Sequence, residues 1–308
     1  MKRIYPALFA AVALAVQLTL PAAAAPTATA APATTAAVTT TITFAPHQDD
    51  DLLFMSPDVL SDVQAGYNVW VVYTTAGEIP CDGEGCALEY ADHRIQGARA
   101  AYARAAHKPN DWNFELFYFN GHELATNRLL GTNIHLVFTF IHAANGEDAC
   151  GDLARMATSS TGSYQPIDGR APYTRFSFIS TLRAFMNWVQ PDYIRTTSSI
   201  GHRLPENVRE HVDHVASAIL VAEADLNAGT NVTRYRRDEY DGYVIATFPD
   251  NVSGYWRNEK TAAWDAYFPY DEALPPGSWY NVMGKQYRPE GRVFYPGSRW
   301  IPPGDFSC

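Results

Sequence analysis

Two short stretches hold the side chains best placed to do chemistry together. In APHQDDDLLF, residues 45–54, an apolar run ends in His47, Gln48 and three consecutive aspartates, Asp49, Asp50 and Asp51. Adjacent carboxylates repel one another, and partial burial strengthens the repulsion. A cation held among them removes that conflict. In EHVDH, residues 210–214, His211 and His214 stand three apart, so on a helix they share a face. The apolar Val215, Ile219 and Val221 that follow favour an inward-facing His214. Two carboxylates and a histidine from one loop, with a histidine from a distant helix, suit a divalent metal. Imidazole fits zinc, and a catalytic zinc holds three protein ligands and leaves a position for water. An Asp-rich strand end could instead hold Mg²⁺ or Ca²⁺, which prefer oxygen, but the histidines argue against those ions. By contrast His202 reads as a solvated loop histidine rather than one that lines the site, His93 and His122 read the same way, and Arg94 reads as a solvated helix residue, with contact to a substrate hydroxyl as the alternative.

The elements that must position these residues follow an alternating pattern. Residues 39–45 read as a strand, so the aspartate cluster lies just past its carboxyl end, where open parallel α/β sheets place their sites. SPDVLSDVQAG (56–66) predicts a helix with Ser56 as N-cap, Pro57 at the first position and Gly66 as the stop. YNVWVVYTT (67–75) is a second buried strand, LEYADHRIQGARAAYARAA (88–106) a helix and FELFYF (114–119) a third strand. Strand–helix alternation predicts right-handed crossovers and a parallel sheet. Further on, 133–143 reads as a strand, 144–173 as a loop, 175–190 as a helix, 191–197 as a short strand and 207–226 as a long helix. Beyond residue 235 the chain is rich in Tyr, Trp, Pro and Gly, and reads as turns and short strands wrapping the core. Tyr255, Trp256, Trp264, Tyr267 and Tyr270 suit either core packing or a platform for sugars, and PYDEALPPG (269–277) reads as a solvated acidic turn.

APHQDDDLLF resembles the His-x-Asp-Asp signature of the PIG-L (LmbE-like) deacetylases, and HVDH resembles their later His-x-Asp-His signature. The order and spacing of the motifs match over roughly residues 40–225, together with VVYTTAGE and RIQGARAAYA. The resemblance implies a Rossmann-like α/β fold, a mainly parallel sheet flanked by helices, followed by an irregular aromatic-rich C-terminal part. It implies a zinc-dependent N-deacetylase acting on an N-acetylated amino sugar or glycoconjugate. His47, Asp50 and His214 would be the zinc ligands, and Asp49 the general base. His211 would be cationic, stabilising the oxyanion or protonating the departing amine, with Asp213 orienting and charging it. Asp51 has no family role and reads as a supporting or helix-start acid. Two departures stand out: Gln48 where the family usually has proline, and Gly97 where many members carry a glutamate three residues after the position of Arg94. These roles meet what amide hydrolysis requires: a water made nucleophilic near neutral pH, a base within its reach, and positive charge where the oxyanion forms.

Composition sets the remaining bounds. MKRIYPALFAAVALAVQLTLPAAAA has the basic, apolar and small-residue layout of a secretory signal peptide, expected to span 1–25. Residues 26–38, rich in Ala, Thr and Pro, read as a disordered tether, leaving a single domain over 39–308. The expected location is therefore extracellular, with no membrane span after removal of the signal. The net charge is −10, and −12 without Lys2 and Arg3, which argues against a general nucleic-acid or anionic-membrane binder. Four cysteines in an exported chain suggest disulfides, with Cys81–Cys86 and Cys150–Cys308 favoured over a thiolate metal site. Two other functions compete: a non-catalytic carbohydrate-binding protein on the same fold, and a metal-dependent hydrolase of another bond. An intact Asp49 and His211 count against the first; a two-metal centre would mark one form of the second.

Overall fold

A computed structural model describes residues 38–80, 85–199, 210–226, 236–289 and 293–294. The expected signal and tether, together with His202, lie outside the described residues. The chain begins with β1 (Thr40–Ala45), followed by α1 (Asp50–Leu53), α2 (Asp58–Gln64), β2 (Asn68–Tyr73) and α3 (Cys86–Ala105). Next come β3 (Trp112–Phe119), β4 (His122–Leu129), β5 (Ile134–Phe138), α4 (Gly151–Thr158), α5 (Arg175–Val189) and β6 (Tyr193–Thr197). The last elements are α6 (Val212–Leu226), β7 (Arg236–Tyr240), α7 (Gly254–Tyr267) and β8 (Val293–Phe294).

Among the described residues the strands form one eight-stranded sheet in the order β3-β4-β5-β2-β1-β6-β7-β8. β5, β2, β1, β6 and β7 run parallel, and the antiparallel pairs lie towards the edges. The α/β, mainly parallel architecture is thus as expected. β3 is the exception, because it pairs antiparallel with β4 instead of joining the parallel run. The Asn120–Gly121 turn causes this: both residues have positive φ and close a tight hairpin that leaves no length for a helical crossover.

Side chains alternate across the sheet. Val69, Val71 and Tyr73 enter a core with α1, α2, α3 and α7, while Trp70 and Val72 enter a second core with α4, α5 and α6. Three expectations need adjusting. Beyond residue 235, read as irregular turns and short strands, the chain forms the 14-residue helix α7. α4 lies inside the stretch read as loop, and Pro57 takes the cap position of α2 instead of its first turn. α5 begins with a reciprocal capping box between Thr174 and Ser177.

The strand order also locates a crevice. From β1 the chain moves outward to β2 and β5, then returns to the other side of β1 at β6. β1 and β6 therefore flank the point where the order reverses, and a crevice opens beyond their carboxyl ends. Both histidine-aspartate motifs sit in the segments that leave these two strands.

Candidate metal and catalytic site

β1 ends at Ala45, and the chain turns into the single-turn α1, which carries Asp50 and Asp51 at its amino end. The backbone N–H of His47 donates to Asp50 Oδ2 at 2.8 Å, which folds the loop back on itself. Asp50 then lies between two imidazoles: Oδ2 is 3.0 Å from His47 Nδ1 and Oδ1 is 3.0 Å from His214 Nε2. His214, on the first turn of α6, is fully buried. The donor atoms of His47, His211 and His214 lie within 4.8 Å of one another, as do those of His47, Asp49 and Asp50. Ligands bound at about 2.0–2.1 Å to one tetrahedral ion stand roughly 3.3 Å apart, close to the spacings about Asp50. Apart from the 3.0 Å approach of Asp50 Oδ1, the buried Nε2 of His214 finds no hydrogen-bond partner among the described residues, which leaves it available to a metal. A mixed nitrogen and carboxylate donor set of this kind fits zinc.

Electrostatics follow the same geometry. Burial would raise the pKa of Asp50, but the His214 and His47 imidazoles outweigh it and hold the carboxyl well below the usual range. Burial would lower His47, yet Asp50 and Asp213 raise it to about 9, and His214 is likewise raised against its burial by Asp50 and Glu210. These carboxylates favour the protonated imidazoles, and a bound dication would take over that charge balance.

The three adjacent aspartates face different partners. Asp49 occupies the N-cap position of α1 but makes no cap bond. Its Oδ1 instead lies 2.6 Å from the Arg94 guanidinium. Burial raises the Asp49 pKa and Arg94 opposes the rise. Asp51 points away from the cleft and accepts hydrogen bonds from the Tyr102 and Tyr73 hydroxyls. Burial pushes its carboxyl up to about 7, and the two phenol hydrogen bonds tie α1 to α3 and β2.

At His211, expected to be cationic, burial and then the neighbouring His47 depress the pKa to about 4. Its Nδ1 accepts from the Asp213 backbone N–H at 3.3 Å, leaving the proton on Nε2. The Asp213 carboxylate, expected to charge His211, sits 3.8 Å from it and only 3.2 Å from His47 Nε2, while also accepting from the Ala144 N–H at 2.8 Å. It serves His47 at least as directly as His211.

Four other readings are corrected. Arg94 is buried, donating to the Gly77 carbonyl at 2.7 Å and the Tyr267 hydroxyl at 2.7 Å besides meeting Asp49. The acidic turn after α7 contributes a buried residue, Asp271, 3.1 Å from Arg94 Nε. His122 is buried in β4 and stacks on Tyr173 with ring centroids 4.0 Å apart. His93 lies within α3 and not in a loop; it is partly exposed and pairs with Glu272 at 3.0 Å. Gln48 is buried too, and its amide donates to the Ala76 carbonyl at 3.0 Å, tying the β1 loop to the β2 loop by a hydrogen bond.

Glu210 was not singled out in the sequence. Its Oε1 lies 2.5 Å from His214 Nδ1, which fixes the imidazole with Nε2 turned towards Asp50. The signal was present, since Glu210 and His214 are one helical turn apart in EHVDH. Gly242 leaves the space that Glu210 fills, for a Cβ there would overlap its carboxylate.

The site opens into a cleft of about 270 Å³. Residues 77–80 and 143–146 and the C-terminal Tyr243, Asp271 and Trp279 line it together with His47, His211, Asp49 and Asp50. The cleft aromatics are Tyr90, Tyr243 and Trp279, the last two with ring centroids 5.3 Å apart, whereas Trp264 and Tyr267 belong to the core.

Fold and site together define a Rossmann-like α/β protein with a buried His/Asp cluster, able to hold a metal, at the reversal of its strand order. The chain belongs to the PIG-L family, described as GlcNAc-PI de-N-acetylase, which residues 42–224 match. Comparison with curated protein sequences finds no match. Similar solved structures include the zinc-inhibited form of teicoplanin deacetylase Orf2, at 16% identity and TM-score 0.45, covering 80% of this chain and 89% of that one. Another is the N,N′-diacetylchitobiose deacetylase of Pyrococcus horikoshii, at 14% identity and TM-score 0.45, covering 79% and 73%. A third is the 4-carboxy-2-hydroxymuconate hydratase of Pseudomonas putida KT2440, at 13% identity and TM-score 0.43, covering 80% and 83%. The family and the cluster make this an N-deacetylase with a site able to bind metal.

Proposed function

We propose that the protein is a zinc-dependent N-deacetylase that hydrolyses the acetamide of an N-acetylated amino sugar, free or within a glycoconjugate, to acetate and an amine. The observation that carries this reading is the division of labour between neighbours. Asp50 joins His47 and His214 in one donor set, while Asp49, next in sequence, turns its carboxylate into the cleft beside Arg94. His47, Asp50 and His214 would hold the ion, with Glu210 orienting His214. Bound zinc would supply a Lewis acid and bring the pKa of water down to about 7. Asp49 accepts the proton of the attacking water, and Arg94 keeps its carboxylate fixed and ionised beforehand. His211, neutral and protonated on Nε2, donates a hydrogen bond to the oxygen where charge develops, and Asp213 orients His47 and His211. Tyr243 and Trp279 give one wall of the cleft an aromatic surface suited to the apolar face of a sugar ring.

Export is part of the same reading, with a signal peptide over 1–25, a tether to residue 38 and the catalytic domain from 39. Neither described cysteine, Cys86 or Cys150, is free, which supports the proposed pairings with Cys81 and Cys308. Those two partners lie outside the described residues.

The test is amine release from N-acetylglucosamine, chitooligosaccharides and N-acylated glycoconjugates, run with chelator and after zinc is restored. Asp49→Asn should keep one zinc per chain and lose nearly all turnover; His214→Ala should lose both. Full turnover by Asp49→Asn would remove the base from the scheme, and two metals per chain would favour a different hydrolase chemistry.

A further inference from the structure

We infer that Asp271, 47 residues beyond the end of the family match, is a positioning residue that fixes the proposed base Asp49 through Arg94. The inference rests on the deacetylase reading for its kinetic part only. Arg94 spreads its guanidinium over three directions: one nitrogen meets Asp49 at 2.6 Å, another donates to the Gly77 carbonyl at 2.7 Å, and Nε faces Asp271 at 3.1 Å. The Tyr267 hydroxyl completes the link, accepting from Arg94 Nε at 2.7 Å and donating to Asp271 Oδ2 at 2.9 Å. Tyr90 donates to the other Asp271 oxygen. Both carboxylate oxygens are therefore engaged, and Asp271 is 3% exposed, so its position is fixed.

The arrangement depends on close approach of α7 to α3. Gly97 permits it: a Cβ there would stand 2.9 Å from the Tyr267 ring and 3.0 Å from its carbonyl oxygen. A buried guanidinium needs a compensating charge at every stage of a reaction. With Asp49 as its sole partner, Arg94 would be left unpaired whenever Asp49 carried a proton during turnover. Asp271 keeps one full carboxylate on Arg94 throughout, so the guanidinium stays in place to receive the base when it ionises again.

The experiment compares Asp271→Asn, Asp271→Glu and Tyr267→Phe, alone and in an Arg94→Lys background, by kcat, KM and zinc content. Asp271→Asn should lower kcat about tenfold with KM and zinc content nearly unchanged, since small misplacements of reacting groups cost rate. Asp271→Glu should recover part of the loss, and in Arg94→Lys the Asp271→Asn change should add less than about twofold. Tyr267→Phe removes one hydroxyl and no charge, and should lower kcat by about threefold in the same way, which serves if Asp271→Asn does not fold. Independently of turnover, ¹⁵N NMR should find the Arg94 Nε–H protected from solvent exchange in the wild type and fast in Asp271→Asn. Should the wild type hydrolyse no acetamide, the deacetylase reading falls and the NMR result still decides the link. Unchanged Arg94 protection, full kcat in Asp271→Asn or multiplicative losses with Arg94→Lys would each overturn the inference.

Discussion

At the scale of single residues, three identical side chains in a row have three environments, and the neighbours set the difference. Asp49 meets a guanidinium, Asp50 two imidazoles and Asp51 two phenols. The motif made His47, Asp50, His211 and His214 legible in the sequence, because pairs close along the chain reveal themselves by spacing. Glu210 follows the same logic, and its weight can be measured. Glu210→Gln keeps the shape but loses the charge that holds a proton on His214 Nδ1, so zinc affinity should fall about 10–100-fold in a chelator competition while the fold persists. An unchanged affinity would mean that Asp50 alone orients the imidazole. Asp271 and Arg94 were read wrongly for a physical reason. A charge looks solvated in sequence unless its partner is nearby, and these partners lie 177 residues apart by position in the chain.

At the scale of elements, the parallel core was legible because β1, β2 and β6 are near-continuous apolar or β-branched runs. β4 was not, since HELATNRL lacks a clear two-residue period and becomes a strand by pairing on both sides. β5 beside it carries a titratable probe of this packing. His135 stacks on Trp70 with centroids 3.8 Å apart and planes 7° from parallel, and burial lowers its pKa to about 4. Between that value and the ordinary 6.5 the unfolded chain binds a proton that the folded chain refuses, so stability is lost as pH falls through this window. His135→Phe removes the proton site and keeps the stack, and urea titrations should show the variant gaining on the wild type from pH 7 to pH 4.5. A constant difference would place the proton elsewhere. The α3–α7 contact gives a second probe. Gly97→Val must push against Tyr267, and should cost about 1–3 kcal/mol by denaturant titration, with kcat falling more than that loss of folded protein explains. A variant as stable as the wild type would show that α7 can move away freely.

At the scale of the whole molecule, the site is a joint between parts of the chain that fold towards one another. Loops after β1 and β6 bring the donor atoms, and the segment after β7 closes the cleft with Tyr243, Asp271 and Trp279. This closure was the least legible part, because aromatic residues without helical or strand period carry no address in sequence. The buried Lys260 shows how the C-terminal part holds the site: on α7, it donates to the Leu53 carbonyl at the end of α1 at 2.7 Å and to the Lys285 carbonyl at 2.6 Å. Metal binding should therefore stabilise the domain as a unit, since it engages the folded arrangement and not the unfolded chain. At a free zinc concentration 100 times the dissociation constant the gain is about 2.7 kcal/mol. For a domain of this size that corresponds to a rise in Tm of roughly 5 °C. Calorimetry of the chelated protein, with zinc then added back, should show this shift for the wild type and for Asp49→Asn, which keeps the donor set. His214→Ala should show none. A shift that persists in His214→Ala would mean that zinc stabilises the protein from some other position, and that the two motifs do not meet around one ion.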